Sequence, residues 1–342
     1  MSSKTYKAGI YRGPGSVEIA EMPYPECGDN DIIVKNLISG ICGSDLGAWR
    51  HDGDPHMIWR DHEFGHEMIS EVVEKGKNVT DLEIGDHVFP NLGWAHRDFQ
   101  RMATVGGFSE YIYIKDHEAD YTDIKIDNDI PLKAASIIEP FQVGLRGARG
   151  IDPGPGKTAI VFGAGIIGMS AALAMKWYGC DKVMSVDISD YRLKHAAGFG
   201  LETCNPKNED LLAKAIEVFG SESNFTGETC GADLYVDALG IMPAIEYFQK
   251  LAKNQARLAI VGVHHDPDPF DLISLCYNNW KIQGCGDITI LEGFSEVIKL
   301  IKSGEYDITG LVTHTFPLDK IDEAFAMAGN SDEALKVAIS YI

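Results

Sequence analysis

The sequence predicts an α/β protein: a doubly wound parallel sheet domain joined to a β-rich domain. Three observations carry this reading. Short apolar runs between Gly, Pro and Asp turn signals fill the first 130 residues. From Thr158 onward, apolar strand-like runs alternate with helical ones, the pattern of parallel βαβ units. A glycine cluster joins the first of those runs to the helix that follows.

In chain order, Ile32–Val34, Met68–Val73 and Glu110–Ile114 read as strands. The pattern changes at Pro131: 131–138 and 143–149 read as helices, and Asp152-Pro153-Gly154-Pro155-Gly156 as a loop. Strands are predicted at Ala159–Phe162, Lys182–Val186, Leu234–Ala238, Leu258–Val263 and Lys281–Gly284, with a helix over Ile167–Tyr178. The tail, 292–342, has two helical stretches and a last short strand; it is too small to fold alone and is expected to return to the first region. The expected division is a β-rich domain over 1–143, a βαβ domain over 144–286 and a C-terminal return over 287–342.

Composition narrows the function. With 342 residues, 45% hydrophobic and 24% charged, the chain can bury a large core without disulfides. Its 30 Lys and Arg against 51 Asp and Glu give a net charge of −21, which argues against nucleic acid and anionic membranes as partners. Seven cysteines without a CxxC suggest a reducing compartment, and the first residues lack the apolar core of a secretory signal, so a cytoplasmic protein is expected. Thr158–Met175 is uncharged and as long as a membrane span, but Gly163, Gly165 and Gly168 divide it into strand, turn and helix.

Gly163-Ala164-Gly165-Ile166-Ile167-Gly168 is a G-x-G-x-x-G in the required context: a strand before it, a helix after it, and Asp187 at the end of the next strand. Gly163 permits the tight turn, Gly165 lets a pyrophosphate approach the backbone, and Gly168 lets helix and strand pack closely. The phosphates would meet free amides, among them those of Ile166 and Ile167, at the positive end of the helix dipole. Asp187 would accept from the adenosine ribose and repel a 2′-phosphate, so NAD is expected over NADP; Arg192 is placed to stack on adenine. Gly156-Lys157-Thr158 imitates the end of a P-loop, but Ile151 stands where the first glycine should be, and the segment enters a strand.

Cys42, His66, Glu67 and Glu139 offer a thiolate, an imidazole and carboxylates, a donor set that suits zinc, although no spacing rule links them. The stretches around them, Gly40-Ile41-Cys42-Gly43-Ser44-Asp45, Gly65-His66-Glu67, VTDLEIGDHV (Val79–Val88), GGFSEY (Gly106–Tyr111) and AASIIEPFQVG (Ala134–Gly144), occur with the glycine fingerprint, Val186–Arg192 and Thr309–Ala324 in one order along nearly the whole chain. In these the sequence resembles the zinc-dependent medium-chain dehydrogenases/reductases, the alcohol dehydrogenase superfamily, and in particular their polyol, sorbitol-like branch.

The resemblance implies a GroES-like catalytic domain and a Rossmann domain. It implies one catalytic zinc on Cys42 and His66, with Glu67 and Glu139 completing the shell directly or through water. Asp45 then orients the His66 ring, and Ser44 touches the substrate oxygen and carries its proton away. Two departures stand out. The stretch 90–106 has none of the four cysteines that hold a structural zinc in many members, so no structural zinc is expected. The proton-relay histidine often found five residues after the zinc cysteine is Gly47 here, with His51 or water as replacement.

The expected reaction is hydride transfer between NAD and a secondary alcohol/ketone pair on a polyol, sugar or cyclitol. An amino alcohol such as threonine, a short diol, and a non-catalytic dinucleotide-binding protein are the alternatives. Trp49, Arg50, Trp94, His96 and Phe108 are candidate substrate-pocket residues. A homodimer or homotetramer is expected from edge-to-edge pairing of cofactor-domain strands, with Ile260–Val263 and Ile282–Cys285 contributing.

Overall fold

The computed structural model describes residues 4–91, 94–95, 105–267, 269–286 and 292–342. The chain forms two compact units: 1–137 with 307–330 and 334–342, and 138–306 with 331–333.

The first unit begins with an antiparallel hairpin, β1 (Thr5–Gly13) and β2 (Ser16–Pro23). Then follow β3 (Ile32–Gly40), α1 (Gly43–Arg50), β4 (His62–Glu63), β5 (Glu67–Lys75), β6 (His87–Pro90), β7 (Tyr111–Ile114), β8 (Asp123–Ile126) and α2 (Leu132–Ala135). The early strands exceed the apolar runs that announce them. Strand β3 continues through Lys35 and Asn36 because it is paired on both sides, by β5 and β7, and the buried Asn36 amide donates to the carbonyls of Gly106 and Ser109.

The second unit opens with α3 (Ile138–Arg149) and runs through β9 (Thr158–Phe162), α4 (Ile166–Trp177), β10 (Lys182–Val186), α5 (Asp190–Gly198), β11 (Glu202–Cys204) and α6 (Leu211–Phe219). A small hairpin, β12 (Ser221–Asn224) and β13 (Gly227–Cys230), precedes β14 (Leu234–Asp237), α7 (Met242–Leu251), β15 (Arg257–Ile260), α8 (Leu272–Tyr277), β16 (Lys281–Gly284) and α9 (Glu292–Ser303). The parallel sheet has the order β11-β10-β9-β14-β15-β16. Its order reverses between β9 and β14, where doubly wound sheets bind ligands. Strands β9 and β14 are buried on both faces, as parallel strands between helices must be. One core cluster of this unit joins Phe162, Tyr235, Phe248 and Trp280, each burial stabilising by roughly 1.5–3 kcal/mol. Small residues let α3 lie close on α4: a Cβ at Gly144 would come within 2.7 Å of Ser170 Cβ and the Ala171 amide.

The chain then returns to the first unit with β17 (Val312–Pro317), α10 (Ile321–Ala328) and β18 (Lys336–Ser340). Strand β18 pairs antiparallel with β3, completing the sheet order β17-β18-β3-β5-β6-β8. Phe325 of α10 packs on Phe64 and Phe108, tying the returning segment to one core of the unit.

The uncharged stretch 158–175 is β9, a glycine turn and most of α4, and Lys157-Thr158 enters a strand, as the sequence predicts. Among the described residues no helix is long and apolar enough to cross a membrane. The helical reading of 131–138 is corrected: α2 ends at Ala135 and α3 starts at Ile138, so the break falls at Ser136 and Ile137. Strand β15 ends at Ile260, three residues before the predicted end, and lies inside the sheet; only β16 of the two expected edge segments is at the edge.

Candidate active site

Three neighbouring strands of the first unit deliver one group of side chains to one place. Strand β3 ends at Gly40, and Cys42 follows as the N-cap of α1. Strand β5 begins with Glu67, in register with Gly40, and His66 stands just before it. The turn into β5 needs Gly65: its φ is +91°, and a Cβ there would come within 2.9–3.0 Å of Phe108. Ligand atoms of Cys42, His66 and Glu67 lie within 4.8 Å of one another.

Asp45 is fully buried on the first turn of α1. Its Oδ2 accepts from the Cys42 N–H at 2.8 Å, and its Oδ1 faces His66 Nδ1 at 3.7 Å. Both Asp45 Oδ1 and His66 Nδ1 are buried without a hydrogen bond. Burial pushes the Asp45 carboxyl up to about 6, against the pull of His66 and the Cys42 amide. For His66, burial opposes the charged form, but Asp45 and Cys42 outweigh it and raise the imidazole well above its usual range. A thiol, an imidazole and carboxylates gathered in a buried place with unsatisfied polar atoms call for a cation. A thiolate–imidazole–carboxylate set fits zinc.

Ser44 is half-buried on the first turn of α1, two residues from Cys42. Glu139 belongs to the second unit, on the first turn of α3. His51 is exposed at the end of α1. The imidazole that stands beside position 47 is that of His56: a Cβ at Gly47 would lie 2.6 Å from its Cε1. Sequence reasoning missed it because the intervening turn, not the spacing, brings it back to α1. Lys336 was missed as well. It is buried at the start of β18 and ion-pairs with Glu67, and its only sequence signal is a lysine opening an apolar strand.

The expected substrate-pocket residues divide. Phe108 is fully buried in the core against Phe64 and Phe325, so its pocket role is corrected to packing. Trp49 stacks at a tilt on Phe325, Arg50 donates to the Gly329 carbonyl, and Trp94 lies 4.9 Å from Tyr121. His96 lies outside the described residues.

The fingerprint in the second unit is built from contiguous residues. Gly163 has φ +101°. A Cβ at Gly168 would run into the Gly163 carbonyl, which is the close helix–loop packing its glycine allows. At Gly165, the N-cap of α4, a Cβ would meet only Arg192 Nη1, at 3.6 Å. Ile166 and Ile167 open the helix. Asp187, just past β10, is buried: Oδ2 accepts from the Ala164 N–H at 2.7 Å and Oδ1 from the Ser189 N–H at 2.9 Å. These bonds fix the carboxylate beside the glycine turn.

Comparison with known proteins agrees with both halves. Residues 28–122 match the model of the alcohol dehydrogenase GroES-like domain, and 167–303 that of the zinc-binding dehydrogenases. A putative D-xylulose reductase of Agrobacterium fabrum is 27% identical, over 96% of this chain and 97% of its own. Rat sorbitol dehydrogenase is 27% identical, over 93% and 91%, and L-threonine 3-dehydrogenase of Pectobacterium atrosepticum 28%, over 94% and 90%. The fold matches that of 2R,3R-butanediol dehydrogenase from Bacillus subtilis with a TM-score of 0.83, at 23% identity, over 98% of this chain and all of that one. The chain belongs to the zinc-dependent medium-chain dehydrogenases/reductases, in their polyol dehydrogenase branch, and is an NAD(P)-dependent oxidoreductase.

Proposed function

We propose that the protein oxidises a secondary alcohol of a polyol, sugar or cyclitol to the ketone, and reduces the ketone in reverse, with NAD and one zinc ion. The observation that carries this is the meeting of Cys42, His66 and Glu67 ligand atoms within 4.8 Å. Cys42 Sγ, a His66 ring nitrogen and a Glu67 carboxylate oxygen would hold the metal. When bound, zinc acts as a Lewis acid, lowering the pKa of an alcohol as it lowers that of water, to about 7 in favourable sites.

The chain's own residues do the rest. Asp45 holds His66 in the orientation that leaves Nε2 for the metal. The Ser44 hydroxyl takes the proton from the substrate oxygen, and His56 passes it towards water in place of the histidine missing at Gly47. The amides that open α4 bind the cofactor's pyrophosphate. NAD over NADP is supported by Asp187, whose fixed carboxylate accepts from ribose hydroxyls and repels a 2′-phosphate. Arg192, beside Gly165, supplies a flat cation for adenine. A single zinc is supported by the absence of cysteine from 90–106.

The first unit is assigned as catalytic and the second as dinucleotide-binding. A reducing, cytoplasmic setting suits a metal site that depends on a Cys42 thiolate. Homo-oligomerisation is assigned to β16, at the sheet edge, where Ile282 is exposed; Leu272, Ile273 and Tyr277 of the preceding α8 are exposed as well. The likeness to threonine dehydrogenases keeps an amino alcohol as second reading. NADH formation is to be followed at alkaline pH with polyols, cyclitols, diols and threonine, each with NAD and NADP, and with metal analysis of the same sample. Turnover of a polyol with NAD and about one zinc per chain is expected; turnover of threonine alone selects the second reading, and full turnover of the metal-free chain ends both.

A further inference from the structure

A short polar loop precedes strand β18. The Asn330 carbonyl accepts from the Ala334 N–H at 2.9 Å, so Ser331, Asp332 and Glu333 stand out between them. From residue 307 onward, these three alone belong to the second unit. Ser189 fixes them there: its hydroxyl donates to the Ser331 carbonyl at 2.6 Å. The same hydroxyl, as N-cap of α5, accepts from the Arg192 N–H at 3.3 Å. Position 332 is thereby held at the helix turn that carries Arg192.

Arg192 is half-buried, and its Nη1 lies 3.6 Å from the place a Cβ would take at Gly165. Burial draws its guanidinium below the usual range, while the charges of Asp187 and Asp332 act in the opposite direction. One cation thus serves two carboxylates of different origin. Asp187 comes from the loop after β10 and is fixed by the Ala164 and Ser189 amides. Asp332 comes from the far end of the chain and is exposed. Together the three groups carry one negative charge in excess. A 2′-phosphate would add roughly 1.5 to 2 more, whereas a free ribose hydroxyl adds none. A planar guanidinium can offer its edge to carboxylates and its face to adenine, so stacking on NAD need not break either pairing. A 2′-phosphate needs the edge itself.

We propose that Asp332 is a second specificity-determining residue for the cofactor: it occupies the Arg192 guanidinium, denies it to a 2′-phosphate and so favours NAD over NADP. This rests on the NAD reading above.

The test is the binding of NADH and NADPH, followed by fluorescence, to the full chain and its variants. In Asp332→Asn, NADPH affinity is expected to rise about three- to fivefold, the scale of an exposed ion pair. NADH affinity should stay within about twofold, as for an ordinary surface substitution. Glu333→Gln removes an equal charge from the next residue and should leave both affinities within about twofold. In an Arg192→Gln background, Asp332→Asn should no longer raise NADPH affinity, because the cation it frees is gone. An equal gain in Glu333→Gln would reduce the effect to bulk charge and overturn the proposal. A gain that survives the loss of Arg192, or a loss of NADH binding in Asp332→Asn, overturns it too. A wild type that prefers NADH, with affinities unmoved in Asp332→Asn, overturns the role of Asp332 alone. A wild type that binds NADPH as tightly as NADH overturns the NAD reading and this proposal with it.

Discussion

The glycine turn of the second unit and the buried group of the first are built on opposite plans. The turn is one unbroken run, Gly163 to Gly168, closed by Asp187 of the next loop through one hydrogen bond to Ala164. The buried group draws Cys42, Asp45, His66, Glu67 and Lys336 from the ends of three strands that are adjacent only in the fold. A local device depends on backbone shape and tolerates distant change. An assembled device depends on side-chain chemistry and on the sheet that gathers it. Substitutions should therefore separate the two.

The largest separation is expected from Cys42→Ser. It removes the soft thiolate, so zinc content and turnover should be lost, the latter by about a thousandfold or more, since Lewis acid assistance supplies several kcal/mol. NADH binding, followed by fluorescence, should stay within about threefold, because no residue of the glycine turn is touched. Parallel loss of both would show that the devices are not independent.

Gly168→Ala is the converse. The added Cβ meets the Gly163 carbonyl, and backbone rather than a flexible side chain must give way. A cost of about 1–3 kcal/mol follows from overpacking, and NADH binding should weaken roughly tenfold to a hundredfold while zinc content stays unchanged. Unchanged NADH affinity would place the cofactor elsewhere.

A smaller effect is expected from Asp187→Ser, which leaves the turn in place and removes one charge. The ratio of kcat/KM for NADP to that for NAD should rise about tenfold, the scale of one hydrogen bond to a charged group. A ratio that stays put would take cofactor choice away from Asp187 and leave it with Arg192.

The same contrast explains what could be read before the fold was known. Strand β10 follows the predicted bounds, and α4 is displaced by one residue at each end, because buried parallel strands and their helices announce themselves by apolar runs; β16 also keeps its predicted bounds, although it is exposed at the sheet edge. The hairpin β12–β13 carried no such signal: its strands are largely exposed, and its turn is held by Asn224 and Asn278 side chains. Helix α1 was equally silent, with only Asp45 and Ala48 buried and a cysteine at its N-cap. Cys42, His66 and Glu67 were suspected as donor types and named through family resemblance, but their meeting is a property of sheet register. Lys336 and His56 had no such resemblance to announce them. One is placed by the pairing of β18 with β3, the other by a turn that folds back on Gly47.

The smallest effect concerns a second assembled group, which shows when such a group needs no metal. His117 is half-buried between Asp123, 2.7 Å from Nδ1, and Asp81, 2.9 Å from Nε2. Burial disfavours its charge, but the two carboxylates outweigh that and push the imidazole from 6.5 up to about 9. Asp81 is held below its usual value, its burial outweighed by the hydrogen bond to His117. Here a proton on each nitrogen satisfies both carboxylates, whereas the Cys42 group leaves Asp45 Oδ1 and His66 Nδ1 without a hydrogen bond. Because the folded value is the higher one, the clamp contributes fully below the unfolded value of 6.5, and its contribution is lost as pH rises through about 9. His117→Asn should therefore be less stable than wild type by about 1 kcal/mol at pH 6, a figure discounted for solvent screening near the surface. The gap should close by about pH 10, above the folded value. Thermal unfolding of both proteins across that range measures it, and a gap that does not change with pH would mean that His117 acts by packing and not by its charge.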